Sequence, residues 1–101
     1  MSSARGSLAR STAGTMPPTR ALGYSISKTA MNVLTIEMQK TEDTVRFSAI
    51  SPGFCATGLN NFQGTSDATA GAEVVIRLLE VEVEKGQFWE IENGELRKVP
   101  W

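Results

Sequence analysis

Apolar residues recur at helical spacing in two stretches of the chain, and as short strand-like runs in two others. Ile26, Ala30, Val33, Leu34 and Met38 fall on one helical face, within a segment rich in Ala, Met, Leu, Glu and Gln. That pattern predicts a helix over 23–42, opening at Gly23-Tyr24. The run Val45-Arg46-Phe47-Ser48-Ala49-Ile50, stopped by Ser51-Pro52-Gly53, predicts a mostly buried strand over 45–50. Ala68, Ala72, Val75, Ile76 and Leu79 form a second apolar stripe and predict a helix over 66–80, with Thr65 or Ser66 as its cap. Gln87-Phe88-Trp89-Glu90-Ile91-Glu92 reads as a strand over 87–92. Asn93-Gly94 then signals a tight turn and a returning hairpin arm.

Residues 1–22 break both periods. They are rich in Ser, Thr, Gly and Pro, and Pro17-Pro18 stops any helix through that point, so this segment is expected to be loop. The expected order is therefore helix, strand, helix, strand. A strand, a helix and a strand in succession imply parallel neighbours joined by a right-handed crossover. The fold class is α/β, and these elements make a piece of a sheet.

Composition narrows the chemistry. With 101 residues and a net charge of −1, the chain allows one domain and carries no basic excess for nucleic acid. A fold of this size buries about 65% of its unfolded surface, which leaves little room for a large cleft. Histidine is absent, so imidazole catalysis and most zinc sites are excluded. The single cysteine, Cys55, forms no internal disulfide and favours a reducing, cytoplasmic setting. No apolar run is long enough to span a membrane. The glutamates between Glu80 and Glu92 alternate with valines as a solvated face does, and no metal is expected there.

Tyr24 and Lys28 stand four residues apart, so on a helix the phenol and the ammonium share one face. A cation about 4 Å away, at an effective dielectric near 20, is worth on the order of 4 kcal/mol, enough to ease proton release from a phenol. By itself the spacing is a common surface pattern. Its surroundings change the picture. Tyr24-Ser25-Ile26-Ser27-Lys28-Thr29-Ala30 resembles the Tyr-x-x-Ser-Lys-x-Ala segment of the short-chain dehydrogenase/reductase family. A strand follows, and then Ser51-Pro52-Gly53-Phe54-Cys55-Ala56-Thr57 resembles that family's Pro-Gly-x-x-x-Thr loop. Ala70-Gly71-Ala72-Glu73 is similar to the opening of its next helix. Ser2-Ser3-Ala4-Arg5-Gly6 is similar to the Ser-Ser-x-x-Gly that ends its fifth strand.

The resemblance covers nearly the whole chain and implies the C-terminal part of a doubly wound, Rossmann-type parallel sheet, here incomplete. It implies an NAD(P)-dependent enzyme that reduces a small-molecule carbonyl or oxidises an alcohol. Ser3 would hydrogen-bond the substrate oxygen, Tyr24 would give or take its proton, and Lys28 would favour the ionised phenol and bind the nicotinamide ribose. Pro52, Gly53, Cys55 and Thr57 would face the cofactor, Cys55 through its backbone. Ser11 and Thr12 stand as alternative hydroxyls, because Ser3 and Tyr24 lie further apart than in many members. The family's full-length proteins are commonly homo-oligomers.

One part of the family pattern is missing. Its Gly-x-x-x-Gly-x-Gly turn, whose amides hold the cofactor pyrophosphate, matches no spacing among the nine glycines. The asparagine of its proton relay is also without a counterpart, since Asn32 and Asn60-Asn61 occur in other contexts. The 101 residues alone are therefore expected to be inactive. The alternative is a non-enzymatic remnant that acts as a dimerisation or interaction module through the helix at 24–41. The acid-poor, Arg- and Ser/Thr-rich start also has the composition of an organellar transit peptide. An active-site loop beside an anionic cofactor accounts for the same composition.

Overall fold

The computed structural model describes residues 1–101. Three strands form one mixed sheet in the order β1 (Ser48–Ser51), β2 (Gln87–Glu92) and β3 (Glu95–Lys98). β1 and β2 are parallel, with Ala49 beside Phe88 and Ile50 beside Trp89. β2 and β3 are antiparallel, closed by Asn93 and Gly94, both at positive φ (51° and 78°) as a type I′ turn requires. Three helices accompany the sheet: α1 (Leu8–Thr12), α2 (Leu22–Thr41) and α3 (Ala68–Glu80). Short 3-10 turns at Ala4–Gly6 and Gly58–Asn60 complete the list. No helix is long and apolar enough to cross a membrane.

The strand expected over 45–50 begins only at Ser48. Gln39, near the end of α2, takes over the hydrogen bonds that a longer strand would have made. Its Oε1 accepts from the Phe47 amide at 2.8 Å, and its Nε2 donates to the carbonyls of Glu42 and Val45. Residues 42–47 are thereby folded around a side chain, and only the Phe47 carbonyl, which accepts from the Gly86 amide at 3.0 Å, reaches toward β2. The segment expected as loop over 1–22 contains α1, because the Ser7 hydroxyl caps it by accepting from the Arg10 amide at 3.1 Å. The helix expected over 66–80 starts at Ala68, and its cap is Asp67 instead of Thr65 or Ser66. The Asp67 carboxylate accepts from the Ala70 amide at 2.7 Å, while the Ser66 backbone is engaged by Phe54 and Ala56.

The core is small and lies at the hairpin end. Phe88, fully buried, packs with Ala49 and Val99, and the Trp101 ring stacks 5.6 Å from it. The apolar stripes of the two long helices have a different fate. Ile26, Val33 and Leu34 on α2 and Ile76 and Leu79 on α3 all point to solvent. What α2 turns inward is mostly polar: Asn32 is its one fully buried residue, flanked by half-buried Thr29, Thr35, Ile36 and Gln39. α3 turns in Gly71 and Val74.

Candidate active site

The carboxyl end of β1 gathers most of the residues with chemical potential. The start of the chain lies beside it: the Ser2 amide donates to the Ile50 carbonyl at 2.7 Å and the Ala4 amide to the Ser51 hydroxyl at 3.2 Å. The same short segment docks on α2. The Ser2 hydroxyl donates to the Lys28 carbonyl at 3.4 Å, and the Gly6 carbonyl receives both the Thr29 hydroxyl and the Asn32 amide nitrogen, at 3.1 and 3.2 Å. Glycine is required at position 6, because a Cβ there would sit 2.9 Å from the Lys28 backbone carbon. In open α/β sheets, ligands bind outside the carboxyl ends of strands, and this junction occupies such a place.

Tyr24 lies in the first turn of α2 with half of its surface exposed, and Lys28 follows one turn later. The Lys28 ammonium stands 5.6 Å from the centre of the Tyr24 ring and donates to the Met1 carbonyl at 3.2 Å. The two groups therefore share a face and a common open side. Ser3 caps the Ala4–Gly6 turn, and its hydroxyl oxygen accepts from the Arg5 amide at 3.2 Å, which leaves its own proton available. The tie to the Lys28 turn is made by Ser2 and not by Ser3. Ser11 and Thr12 lie on α1. The Thr12 hydroxyl is spent on the Leu8 carbonyl at 2.9 Å, whereas Ser11 lines a groove of about 380 Å³ with Ser25, Ile26 and Thr29.

The loop that follows β1 is tightly organised. Gly53 sits at φ +82°, where only glycine is unstrained. The Cys55 thiol donates to the Pro52 carbonyl at 3.3 Å and fills the space left by Gly71, where a Cβ would come within 2.3 Å of the sulfur. It is a packing group. Asn60 fastens the far side: its Nδ2 donates to the Cys55 carbonyl at 2.7 Å and its Oδ1 accepts from the Thr57 amide at 3.1 Å. The amides of Gly53, Phe54 and Cys55 donate to no other backbone group of the chain.

Two polar positions stand out in the structure, one that the sequence reading set aside and one that it did not single out. Asn32 is 3% exposed and its Oδ1 has no partner, an unspent acceptor buried behind Lys28. Asn32 lies opposite the apolar stripe of α2, among Ser25, Lys28, Thr29, Thr35 and Gln39, so the helical period gave no sign that this face is the buried one. Arg10 forms a forked pair with Glu90, one arm of which, Nη1 to Oε2, measures 2.9 Å. Hydrogen bonding to Glu90 raises the guanidinium's affinity for its proton against the cost of partial burial, and the charges of Glu90 and Glu92 add to it. Local spacing gives no hint of a partner so distant along the chain.

No family model matches the chain. A short-chain dehydrogenase/reductase of Aspergillus fumigatus is 34% identical over 95 residues, an alignment taking in 77% of this chain and 36% of that protein. The chain thus spans well under half the length of the curated relative it matches. The likeness is to a short-chain oxidoreductase at the level of family, and the mixed α/β sheet is compatible with part of a Rossmann-like fold.

Proposed function

We propose that this chain supplies the proton-transfer half of a short-chain-type oxidoreductase that interconverts a small-molecule carbonyl and its alcohol with NAD(P). The observation that carries the reading is the stacking of Lys28 against Tyr24 on one turn of α2, with the Ser2–Ser3 segment bonded to that same turn. Tyr24 would give its phenolic proton to the substrate oxygen, or take it back in the reverse direction. Ser3, with its proton free, would donate to that oxygen as charge develops on it. Lys28 would favour the ionised phenol and reach the ribose hydroxyls.

The residues present fit the nicotinamide end of the cofactor. Free amides at Gly53 and Cys55 suit a carboxamide oxygen, and Pro52 and Thr57 border the same loop. A bound nicotinamide supplies or accepts the hydride. Its pyrophosphate would be held by a glycine-rich turn outside these 101 residues. A cytoplasmic setting and a homo-oligomeric full-length protein belong to the same proposal. A second reading, an interaction module without catalysis, is favoured by one observation, the outward apolar residues of α2.

The test is a protein in which residues 1–101 follow, in frame, an amino-terminal half bearing a Gly-x-x-x-Gly-x-Gly turn. Tyr24→Phe should cut turnover by roughly 10²–10⁴-fold with cofactor affinity retained, since the ring packs but only the hydroxyl moves a proton. Lys28→Ala should weaken cofactor binding as well. Wild-type turnover in Tyr24→Phe removes that residue from the role, whereas a joined protein that folds, binds cofactor and shows no turnover favours the interaction module.

A further inference from the structure

Helix α1 is far below the length at which an isolated helix persists in water, and none of its residues is fully buried. It is held from outside. The Ala9 amide donates to the Trp101 carbonyl at 3.2 Å, the buried Ser7 hydroxyl donates to the Pro100 carbonyl, and Arg10 sends both terminal nitrogens to Glu90 on β2. The Trp101 ring stacks on Phe88, so the carbonyl that receives Ala9 belongs to a residue seated on the core. Ser7 serves twice, because the same hydroxyl oxygen accepts from the Arg10 amide to start the helix.

A glycine bounds the segment at each end, one fixed and one free to turn. Gly6 is pinned to α2 by Thr29 and Asn32, so motion beyond it need not disturb that junction. Gly14 is exposed at φ +74° with open space around its Cα. Between this segment and the β2–β3 hairpin runs a groove of about 530 Å³, bordered by Arg10, Met16, Glu90, Arg97 and Pro100. Arg97 is itself paired with Glu92, and Lys98 with Glu84, so Arg10–Glu90 is the ion pair that joins the two walls.

We infer that residues 7–13 form a strap, fastened to residues 99–101 and to Glu90, that opens as a unit and uncovers this groove while the sheet stays folded. The Arg10–Glu90 fork is the principal fastening, since both side chains are largely shielded from water and the remaining ties are single hydrogen bonds. The inference stands apart from the chemistry assigned to Tyr24, because it concerns only how one segment is held.

Amide hydrogen exchange on the 101-residue chain tests it. Arg10→Ala should accelerate exchange at the Ala9, Ser11 and Ala13 amides by about tenfold or more, with the Val99 amide and the β1–β2 ladder at wild-type rates. Arg10→Lys keeps the charge but not the fork and should give a smaller acceleration. Exchanging the partners, Arg10→Glu with Glu90→Arg, should restore protection in part. Unchanged exchange in Arg10→Ala overturns the strap. So does acceleration of equal size across strap and ladder in both Arg10→Ala and the milder Glu90→Gln, which would mean the segment has no opening of its own.

Discussion

The hairpin end of this molecule and the outer faces of its two long helices contain similar side chains in opposite circumstances. At the hairpin, Phe88 is wholly enclosed by Ala49, Val99 and Trp101. On the helices, Ile26 is 68% exposed and Leu79 80% exposed, although each belongs to a regular apolar stripe. The stripe says which residues share a face, and it does not say that this chain provides something to cover that face. Where α2 does meet the rest of the chain, half-buried Ile36 is outnumbered by hydrogen bonds of Lys28, Thr29, Asn32 and Gln39. Apolar contacts thus hold the hairpin, whereas polar ones hold the candidate site.

The sharpest way to break that contrast is Phe88→Ala. Emptying the centre of so small a core should cost about 3–5 kcal/mol, a large share of what a domain of this size has available. Loss of near-ultraviolet circular dichroism from Trp89 and Trp101 should follow at ambient temperature. A cooperative melt at the wild-type midpoint would mean the core lies elsewhere.

Gly6→Ala probes the polar junction. The added methyl would press on the Lys28 backbone and the Asn32 side chain, so α2 and the Ala4–Gly6 turn must separate. We expect about 1–3 kcal/mol of destabilisation, read as a lower urea midpoint. An unchanged midpoint would show that the junction is loose.

The smallest effect belongs to the exposed stripes. Leu34→Gln and Leu79→Gln should each change the stability of the monomer by less than about 0.5 kcal/mol. Together they should narrow the elution profile at high concentration, because each removes a large exposed apolar side chain from a stripe that can promote association. The outer edge of β1 adds to that tendency, since the start of the chain gives it one backbone hydrogen bond, from Ser2, and one to the Ser51 side chain. A stability loss of several kcal/mol in either variant would contradict the exposure seen here.

Much of the architecture was legible because it depends on local chemistry. Asn93-Gly94 dictated its turn, the strand over 87–92 lies where its residues predicted, and the two long helices follow their periods to within two residues at each end. The misses have non-local causes. Residues 45–47 left the strand because Gln39 reaches them from α2, and α1 exists because Ser7 and Arg10 find partners near the end of the chain. At the candidate site, helical spacing alone brought Tyr24 and Lys28 together. The docking of Ser2 on Lys28, and of Gly6 on Asn32, joins segments that no sequence window contains.

On the proposed function, these residues hold the proton-transfer parts of a site without the grip on its cofactor. The decisive measurement is a titration of NADPH into the 101-residue chain, followed by Trp89 and Trp101 emission corrected for absorbance. Positioning a hydride donor against a substrate carbon can be worth roughly 7–11 kcal/mol, and Lys28 with three loop amides supplies little of it. We predict no saturable quenching at micromolar NADPH and no ketone-dependent loss of the NADPH signal. Saturable quenching in the low micromolar range, accompanied by ketone-dependent oxidation of NADPH, would contradict the claim and show that the half-site suffices.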